Sequence, residues 1–243
     1  MISIPQLQSS LQAGQFLEYQ CQANLNLYDS SLLQGLVTQA VAGRQLRVLP
    51  LPVENEGKLQ GMAVQVRLCE DDYPGWLALE DLDLLEVAEI AYQPLALTAA
   101  EICDRIPQVI AFAHAAMNQP NHYLWGGTVG PNYDCSGLMQ TAFAAAGIWL
   151  PRDSYQQEAF TQPLSLDALQ PGDLVFFGPP ERANHVGLHL GDRYYIHSSG
   201  RDRGRNGIGI DVLSEEGDEI SRAYYKLFRG VGRVTQCYQP RIP

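Results

Sequence analysis

The amino-acid sequence predicts an α+β protein in two parts: a small all-β barrel, followed by a domain in which helices pack on an antiparallel sheet. Three observations support this prediction. Short runs of alternating apolar and polar residues, separated by turn signals, fill most of residues 1–88. Two apolar stripes with helical spacing follow, after residues 98 and 134. Strand patterns then dominate from Val175 onward, and this order is typical of the α+β class.

The N-terminal part, residues 1–88, has the two-residue period of half-buried strands. Apolar residues alternate with polar ones from Tyr19 to Leu27 and again from Met62 to Leu68. Short strands with frequent turn signals predict a small barrel. The segment Asp71-Asp72-Tyr73-Pro74-Gly75-Trp76 reads as a turn with two aromatic residues. The stretch resembles a bacterial SH3-like domain, whose Gly-Trp segment often has this form.

Residues 89–98 form the predicted linker to a second domain, residues 99–243. Thr98 and Glu101 have the spacing of a capping box, which marks a helix start. Apolar residues then recur with helical spacing from Ile102 to Met117. The second domain is therefore predicted to begin with a helix.

The next predicted helix, residues 135–146, begins at a cysteine. Asp134 is a good N-cap residue and Gly147 a good residue to follow the helix end. Cys135 then lies in the first turn, where free backbone N–H groups and the helix dipole favour an anion. We therefore expect its thiol to lose a proton more readily than a free thiol. The alternative is that Cys135 is a small buried hydrophobic residue.

A hairpin downstream can supply the base. After the predicted strand Val175–Phe177, two apolar runs flank a Gly-Asp turn. If the loop covers residues 190–192, His185 lies opposite His197 on one face of the hairpin. A loop of another length changes this register. A cysteine at a helix start and two paired histidines give the layout of a thiol hydrolase, with nucleophile, base and orienting residue.

The sequence also resembles the NlpC/p60 cell-wall peptidases, which have a papain-like core. The resemblance covers roughly residues 100–235 and rests on six stretches in the order typical of the family. They are Tyr123-Leu-Trp-Gly-Gly, Asp134-Cys-Ser-Gly, Leu150-Pro-Arg-Asp-Ser-Tyr, Leu169-Gln-Pro-Gly-Asp, His185-Val-Gly and Ile196-His.

This resemblance implies roles for further residues. Tyr123 would help to stabilise the oxyanion, unless it only packs beside Trp125. His197 would hold the base in its useful tautomer, unless it is merely a strand histidine. The resemblance also implies a pocket for the free ammonium of the substrate, lined by Asp134, Ser136, Asp153 and Ser154. A helix cap alone would equally explain Asp134.

The resemblance further implies a substrate, a peptidoglycan stem peptide cut between γ-D-glutamate and a diamino acid such as diaminopimelate. The expected substrates are soluble muropeptides with a free N-terminal L-alanine, handled in cell-wall turnover or recycling. We expect the SH3-like domain to pack on the catalytic domain and close one side of its cleft. Tyr73 would then hydrogen-bond a substrate terminus. In the alternative, Trp76 lies in the barrel core and Tyr73 is simply exposed.

Composition and charge bear on the partners and the location of the protein. The formal charge of −11 argues against nucleic acid and against anionic membranes as partners. The five cysteines are widely spaced, without the paired spacing of a metal site. The sequence shows neither a secretion signal nor an apolar run of membrane-spanning length, so we expect a cytoplasmic protein.

A metal site is the first alternative. His185, His189 and His197 could be zinc ligands, but residues four apart on a strand are separated by about 13 Å. We therefore expect no metal, and a cysteine peptidase mechanism needs no cofactor. Two further alternatives stay open: a wall-binding protein whose catalytic domain is weak or inactive, and a papain-like amidase or acyltransferase acting on another substrate.

Overall fold

The protein is described by a computed structural model that covers Leu7 and residues 17–49 and 62–240. The chain divides between Pro94 and Leu95 into two compact units, the second of which ends at Tyr238. This division lies within the predicted linker.

The N-terminal unit is all β, as predicted. Its strands form one antiparallel sheet in the order β3-β2-β6-β5-β4-β1-β7. All of these strands contribute apolar side chains to a single core. The strands are β1 (Glu18–Cys21), β2 (Leu25–Tyr28), β3 (Leu36–Ala40), β4 (Gln45–Val48), β5 (Ala63–Leu68), β6 (Pro74–Ala78) and β7 (Leu85–Val87).

The Tyr19–Leu27 stretch and the Asp71–Trp76 turn both lie in this unit. The alternation from Tyr19 to Leu27 belongs to two strands, because the chain turns between Cys21 and Leu25. Trp76 lies half-buried on β6, where it pairs with Tyr28 and Gln65. Tyr73 is also half-buried and packs against the core of its own unit.

The second unit combines helices with an antiparallel sheet in the order β12-β11-β10-β9-β13-β8, which confirms the α+β class. Its helices are α1 (Ala99–Met117), α2 (Cys135–Ala145), α3 (Ser154–Phe160) and α4 (Glu219–Tyr225). Its strands are β8 (Gln162–Leu164), β9 (Leu174–Phe177), β10 (His185–Gly191), β11 (Tyr194–Ser199), β12 (Gly207–Val212) and β13 (Phe228–Arg233).

The two long helices begin and end where their capping residues predict. Thr98 and Glu101 form the capping box at the start of α1. The Asp134 side chain accepts a hydrogen bond from the Gly137 N–H at the start of α2. Gly147 follows α2 in the left-handed region, with φ of 74°. The cap therefore fixes Cys135 as the first residue of α2.

The sheet of the second unit buries both of its faces. Alternate residues point to opposite faces of a strand. One set, including Leu188 and Ile196, packs with α1 and α2 in the larger core. The other set, including Phe177 and Tyr195, packs with Tyr224 of α4. His185 and His197 belong to this second face, because they share the parity of Phe177 and Tyr195.

The β10–β11 hairpin corrects the predicted register. His189 pairs with Tyr195 and Leu188 with Ile196, so the pairing is shifted by two residues from the predicted one. The loop is shorter than expected, because Asp192 and Arg193 form a two-residue turn with φ of 48° and 65°. A shift of two residues keeps each side chain on its face, whereas a shift of one would reverse it.

No helix in the described part of the chain is long and apolar enough to cross a membrane. The N-terminal residues on which the absence of a secretion signal was predicted lie outside the described residues, apart from Leu7. The cytoplasmic location therefore stays a prediction.

Candidate active site

The start of α2 is pressed against the Trp-Gly-Gly loop that precedes it. A Cβ atom on Gly137 would lie 2.0 Å from the Gly127 carbonyl oxygen, so this position has no room for a side chain. The Gly126 N–H donates to Asp134 Oδ2 at 2.9 Å, and the Gly137 N–H donates to Asp134 Oδ1 at 2.6 Å. Asp134 thus joins the loop to the helix around Cys135.

Close to Cys135 lies Arg152, which was not singled out from the sequence. Arg152 is 1% exposed, and its two terminal nitrogens lie 3.1 Å and 2.5 Å from the two Asp134 carboxylate oxygens. The same side chain donates to Ser136 Oγ at 3.1 Å. This two-point geometry gives a strong charge-assisted contact. Both oxygens of Asp134 therefore already accept hydrogen bonds within the protein.

The Cys135 thiol is more basic than the sequence predicts. Burial raises its pKa to about 12, and the neighbouring Asp134 charge also raises it. Hydrogen bonds from the backbone N–H groups of Val186 and Ser136, together with the Arg152 charge, oppose this shift without reversing it. This direction is opposite to the one expected from the sequence, because pattern alone does not show how deeply the helix start is buried. At neutral pH the thiol keeps its proton until a base removes it.

His185, the predicted base, immediately precedes the residue whose N–H contacts this thiol. The Val186 N–H that contacts the Cys135 sulfur brings the thiol beside the start of β10, where His185 lies. Burial lowers the pKa of His185 well below 6.5, and the His197 and Arg203 charges lower it further. His185 is therefore neutral at pH 7 and has a ring nitrogen free to accept a proton.

The two predicted histidines meet. The Nε2 atom of His185 lies 2.6 Å from Nδ1 of His197, and both side chains are buried. Gly187 makes this packing possible, because a Cβ atom there would lie 2.7 Å from the Tyr195 ring and 3.3 Å from the His197 Cβ. The glycine of the His-Val-Gly stretch thus leaves room for the second histidine.

The cluster also contains a carboxylate that was not predicted from the sequence. Nε2 of His197 lies 2.6 Å from Oδ2 of Asp211, which is buried on β12. One signal was available, since Asp211 interrupts an otherwise apolar strand pattern beside Ile210 and Val212. A carboxylate at such a position needs a partner.

Two tyrosines complete the surroundings. The Tyr224 ring of α4 stacks on His185 with centroids 4.5 Å apart, and its hydroxyl lies 2.7 Å from Ser199 Oγ. No sequence pattern pointed to Tyr224. Burial raises the pKa of Tyr123 above its usual range, as do the nearby Cys135 and Asp134 charges. The Tyr123 hydroxyl therefore stays protonated and can act as a hydrogen-bond donor.

The remaining predicted site residues lie in three places. Asp134 and Ser136 flank Cys135, and all three lie close to Arg152. Asp153 forms the capping box of α3, while the buried Ser154 donates to the Ala183 carbonyl at 3.3 Å. Tyr73 belongs to the N-terminal unit. The roles of these residues toward a substrate stay predictions.

His189 lies on β10 four residues from His185, as the strand argument requires. Both of its ring nitrogens are buried without a hydrogen-bond partner among the described residues. Within residues 17–49 and 62–240, no group of three or more His, Cys, Asp or Glu side chains is arranged to hold a metal ion.

Two parts of the chain match families of known proteins. Residues 120–225 match the NlpC/P60 family, and residues 27–82 match the bacterial dipeptidyl-peptidase SH3 domain. A Mycobacterium tuberculosis protein named "Probable endopeptidase" is 42% identical over 37% of this chain and 23% of its own length. The gamma-D-glutamyl-L-lysine dipeptidyl-peptidase of Bacillus subtilis is 38% identical over 38% of this chain and 30% of its own length. The chain thus spans less than a third of each of these relatives.

A solved structure of an NlpC/P60 family protein from Bacillus cereus is also similar. It is 21% identical, with a TM-score of 0.47, and the alignment covers 93% of this chain and 66% of that one.

Proposed function

Because this chain carries an NlpC/P60 domain together with a bacterial SH3 domain, we propose that it is a cysteine peptidase acting on peptidoglycan stem peptides. One observation carries the proposal. Cys135, at the start of α2, receives a hydrogen bond from the backbone beside His185, and His185 in turn lies 2.6 Å from His197. The residues proposed as nucleophile, base and orienting residue thus share one buried cluster, which supports the proposal.

The proposed reaction begins with a neutral pair. His185 removes the proton from Cys135 as the sulfur attacks an amide carbonyl, so no preformed thiolate is needed. Backbone N–H groups at the start of α2 and the Tyr123 hydroxyl stabilise the oxyanion; one such donor contributes about 2.7–4 kcal/mol. The protonated His185 then gives its proton to the leaving amine. Water hydrolyses the thioester, with His185 again acting as base.

The proposed bond is the amide between γ-D-glutamate and a diamino acid of the diaminopimelate type. The motif resemblance and the name of the Bacillus subtilis relative support this choice. Soluble muropeptides with a free N-terminal L-alanine are the proposed substrates, in cell-wall turnover or recycling.

We propose that Asp134, Ser136, Asp153 and Ser154 line the pocket for this terminus. Tyr73 of the SH3-like domain is proposed to hydrogen-bond the substrate terminus. In this proposal, Asp134 binds the substrate ammonium while it stays paired with Arg152. Ser136 also contacts Arg152 and therefore lies in the same proposed pocket.

The test is incubation with L-Ala-γ-D-Glu-diaminopimelate and product analysis by mass spectrometry. The proposal predicts L-Ala-D-Glu and free diaminopimelate from the wild type and no products from Cys135→Ala. Cys103→Ala, which removes an exposed cysteine, is the matched control and should retain full activity. An intact substrate in every sample contradicts the proposal. Transfer of the acyl group to an added amine, in place of hydrolysis, would favour an acyltransferase.

A further inference from the structure

Asp211 is surrounded by hydrogen-bond donors. It is 3% exposed, and its Oδ2 atom lies 2.6 Å from Nε2 of His197. Arg205 contacts both carboxylate oxygens, with its Nε 3.2 Å from Oδ2 and its Nη2 against Oδ1. Ser221 Oγ donates to Oδ1 at 3.1 Å. Burial alone would raise the pKa of Asp211, but hydrogen bonds from His197 and Arg205 outweigh it and hold the pKa below its usual range.

The charge of Asp211 determines which ring nitrogen carries the proton in His197 and in His185. An ionised carboxylate only accepts hydrogen bonds, so Nε2 of His197 must carry a proton. In a neutral imidazole the other nitrogen is then an acceptor, so Nδ1 of His197 accepts from His185. The donor in that 2.6 Å contact is therefore Nε2 of His185. This leaves Nδ1 of His185 without a proton.

We propose that Asp211 is a positioning residue that sets the tautomers of both histidines, so that His185 Nδ1 stays free to take the Cys135 proton. This inference rests on the proposed function and deepens it. It makes the cluster a relay of four residues, from Cys135 through His185 and His197 to Asp211, in which the carboxylate acts through two rings.

The relay also accounts for the charge that develops during attack. The thiol proton moves to Nδ1 of His185, and the thiolate electron pair forms the bond to the carbonyl carbon. The resulting His185 imidazolium keeps its Nε2–H and still donates to His197, so no other proton has to move. The negative charge of Asp211 stabilises the cation through the His197 ring, within a buried site of low dielectric constant.

Asp211→Asn should reverse the direction of the hydrogen bonds in the relay. Arg205 Nη2 and Ser221 Oγ, the two donors at Oδ1, would hold the new amide oxygen. The NH₂ group would face His197, and the weaker contact from Arg205 Nε to Oδ2 would be lost. Nε2 of His197 would then have to accept, and its Nδ1–H would donate to Nε2 of His185. The remaining His185 proton would sit on Nδ1, the nitrogen that must receive the thiol proton. Asp211→Asn thus places a proton on the nitrogen that the reaction needs free.

The experiment is ¹⁵N NMR of the histidine rings, combined with steady-state kinetics. The chain has five histidines, few enough to assign. In the wild type, His185 and His197 should both be protonated at Nε2. In Asp211→Asn, both protons should move to Nδ1. The corresponding Asp→Asn change in a Ser-His-Asp triad lowers kcat by about 10⁴. We therefore expect kcat to fall by about 10²–10⁴ with KM little changed.

Asp173→Asn is the matched control. Asp173 is 2% exposed, and its carboxylate accepts hydrogen bonds from Arg233 at 2.8 Å and 2.7 Å and from the Gln170 N–H at 2.8 Å, in place of a histidine. It should lose stability while leaving the tautomers of His185 and His197 unchanged.

The wild-type spectrum tests the inference about the tautomers even if Asp211→Asn fails to fold. A proton on Nδ1 of either His185 or His197 in the neutral wild-type protein would overturn the inference. A folded Asp211→Asn protein with unchanged tautomers and unchanged kcat would also overturn it. The spectrum is independent of turnover, so a protein that cleaves no stem peptide but shows both Nε2–H tautomers would contradict the proposed function and leave the relay intact.

Discussion

Arg152 and Asp134 form a buried, two-point ion pair directly behind Cys135, with nitrogen–oxygen distances of 2.5 Å and 3.1 Å. The Arg152 charge partly offsets the Asp134 charge, which raises the free energy of forming a thiolate at Cys135. The Arg152–Asp134 pair also joins α2 to the segment that leads into α3. Stability and reactivity therefore depend on the same contact.

Removing Arg152 should unfold much of the site. Arg152→Met leaves Asp134 buried without its cation, and breaking a buried pair in this way costs about 3–5 kcal/mol. Urea denaturation followed by circular dichroism measures the loss. Arg229→Met is the control, because Arg229 pairs with Glu158 at 2.9 Å in a partly exposed position. We expect about 1 kcal/mol or less there. Equal losses in the two variants would contradict a buried, compensating role for Arg152.

Gly137 should tolerate no side chain. In Gly137→Ala the new Cβ must push away the Gly127 carbonyl, which is backbone and cannot rotate aside. We expect a loss of about 1–3 kcal/mol, as for other overpacked positions, and a reduced kcat because the start of α2 shifts. Gly230→Ala is the control, since a Cβ there meets no atom within 4 Å. A thermal midpoint for Gly137→Ala equal to that of Gly230→Ala would argue against the close approach.

Acid should inactivate and destabilise the protein through the histidine pair. Burial lowers the pKa of both His185 and His197 below 6.5, so the unfolded chain binds protons at a higher pH than the folded one. Stability should therefore be greatest above pH 6.5 and fall as the pH drops below it. The acid limb of kcat/KM should likewise lie below pH 6.5. Urea midpoints and rates between pH 4.5 and 8 test both, and an acid limb above pH 6.5 would contradict a neutral, buried base.

Alkylation should distinguish the cysteines. The Cys135 thiol is buried and its pKa is raised to about 12, by burial first and by Asp134 second, whereas Cys103 is exposed. Iodoacetamide at pH 7 should therefore label Cys103 first, because the thiolate is the reacting form. Peptide mapping of a time course measures the order. Faster labelling of Cys135 than of Cys103 would show that the free enzyme holds a preformed thiolate.

A free N-terminus should matter if Tyr73 and Asp134 help to bind it. Acetylating the substrate amine removes a charge-assisted hydrogen bond, which costs about 1.5–3 kcal/mol, or roughly ten- to a hundred-fold in kcat/KM. The comparison is between L-Ala-γ-D-Glu-diaminopimelate and its N-acetyl form, for the wild type and Tyr73→Phe. Equal kinetics for the two substrates would leave the SH3-like domain with a targeting role.

The sequence predicted those features of the site that depend on neighbouring residues in the chain. Asp134 and Gly147 predicted the ends of α2 to within one residue, because capping depends on nearest neighbours. The hairpin register was wrong by two residues, since Asp192 and Arg193 form a tighter turn than glycine placement suggested. His185 and His197 still meet, because a two-residue shift preserves the face of a strand.

Properties that depend on burial and on distant contacts were not predictable in this way. The basic thiol of Cys135 reflects how completely the surrounding helices and strands cover it. Arg152 and Asp211 act through partners that lie 18 and 14 residues away, Asp134 and His197. A single sequence shows neither the depth of a side chain nor which distant residue it contacts.

The central claim, that Cys135 attacks the γ-D-glutamyl carbonyl, is tested most directly by trapping the acyl-enzyme. Wild-type protein mixed with L-Ala-γ-D-Glu-diaminopimelate, quenched in acid within milliseconds and analysed by intact-protein mass spectrometry, should carry one L-Ala-γ-D-Glu acyl group. Peptide mapping should place the group on Cys135, and Cys135→Ala should show neither adduct nor free diaminopimelate. Release of diaminopimelate by Cys135→Ala at the wild-type rate, or an adduct on another residue, would contradict the account.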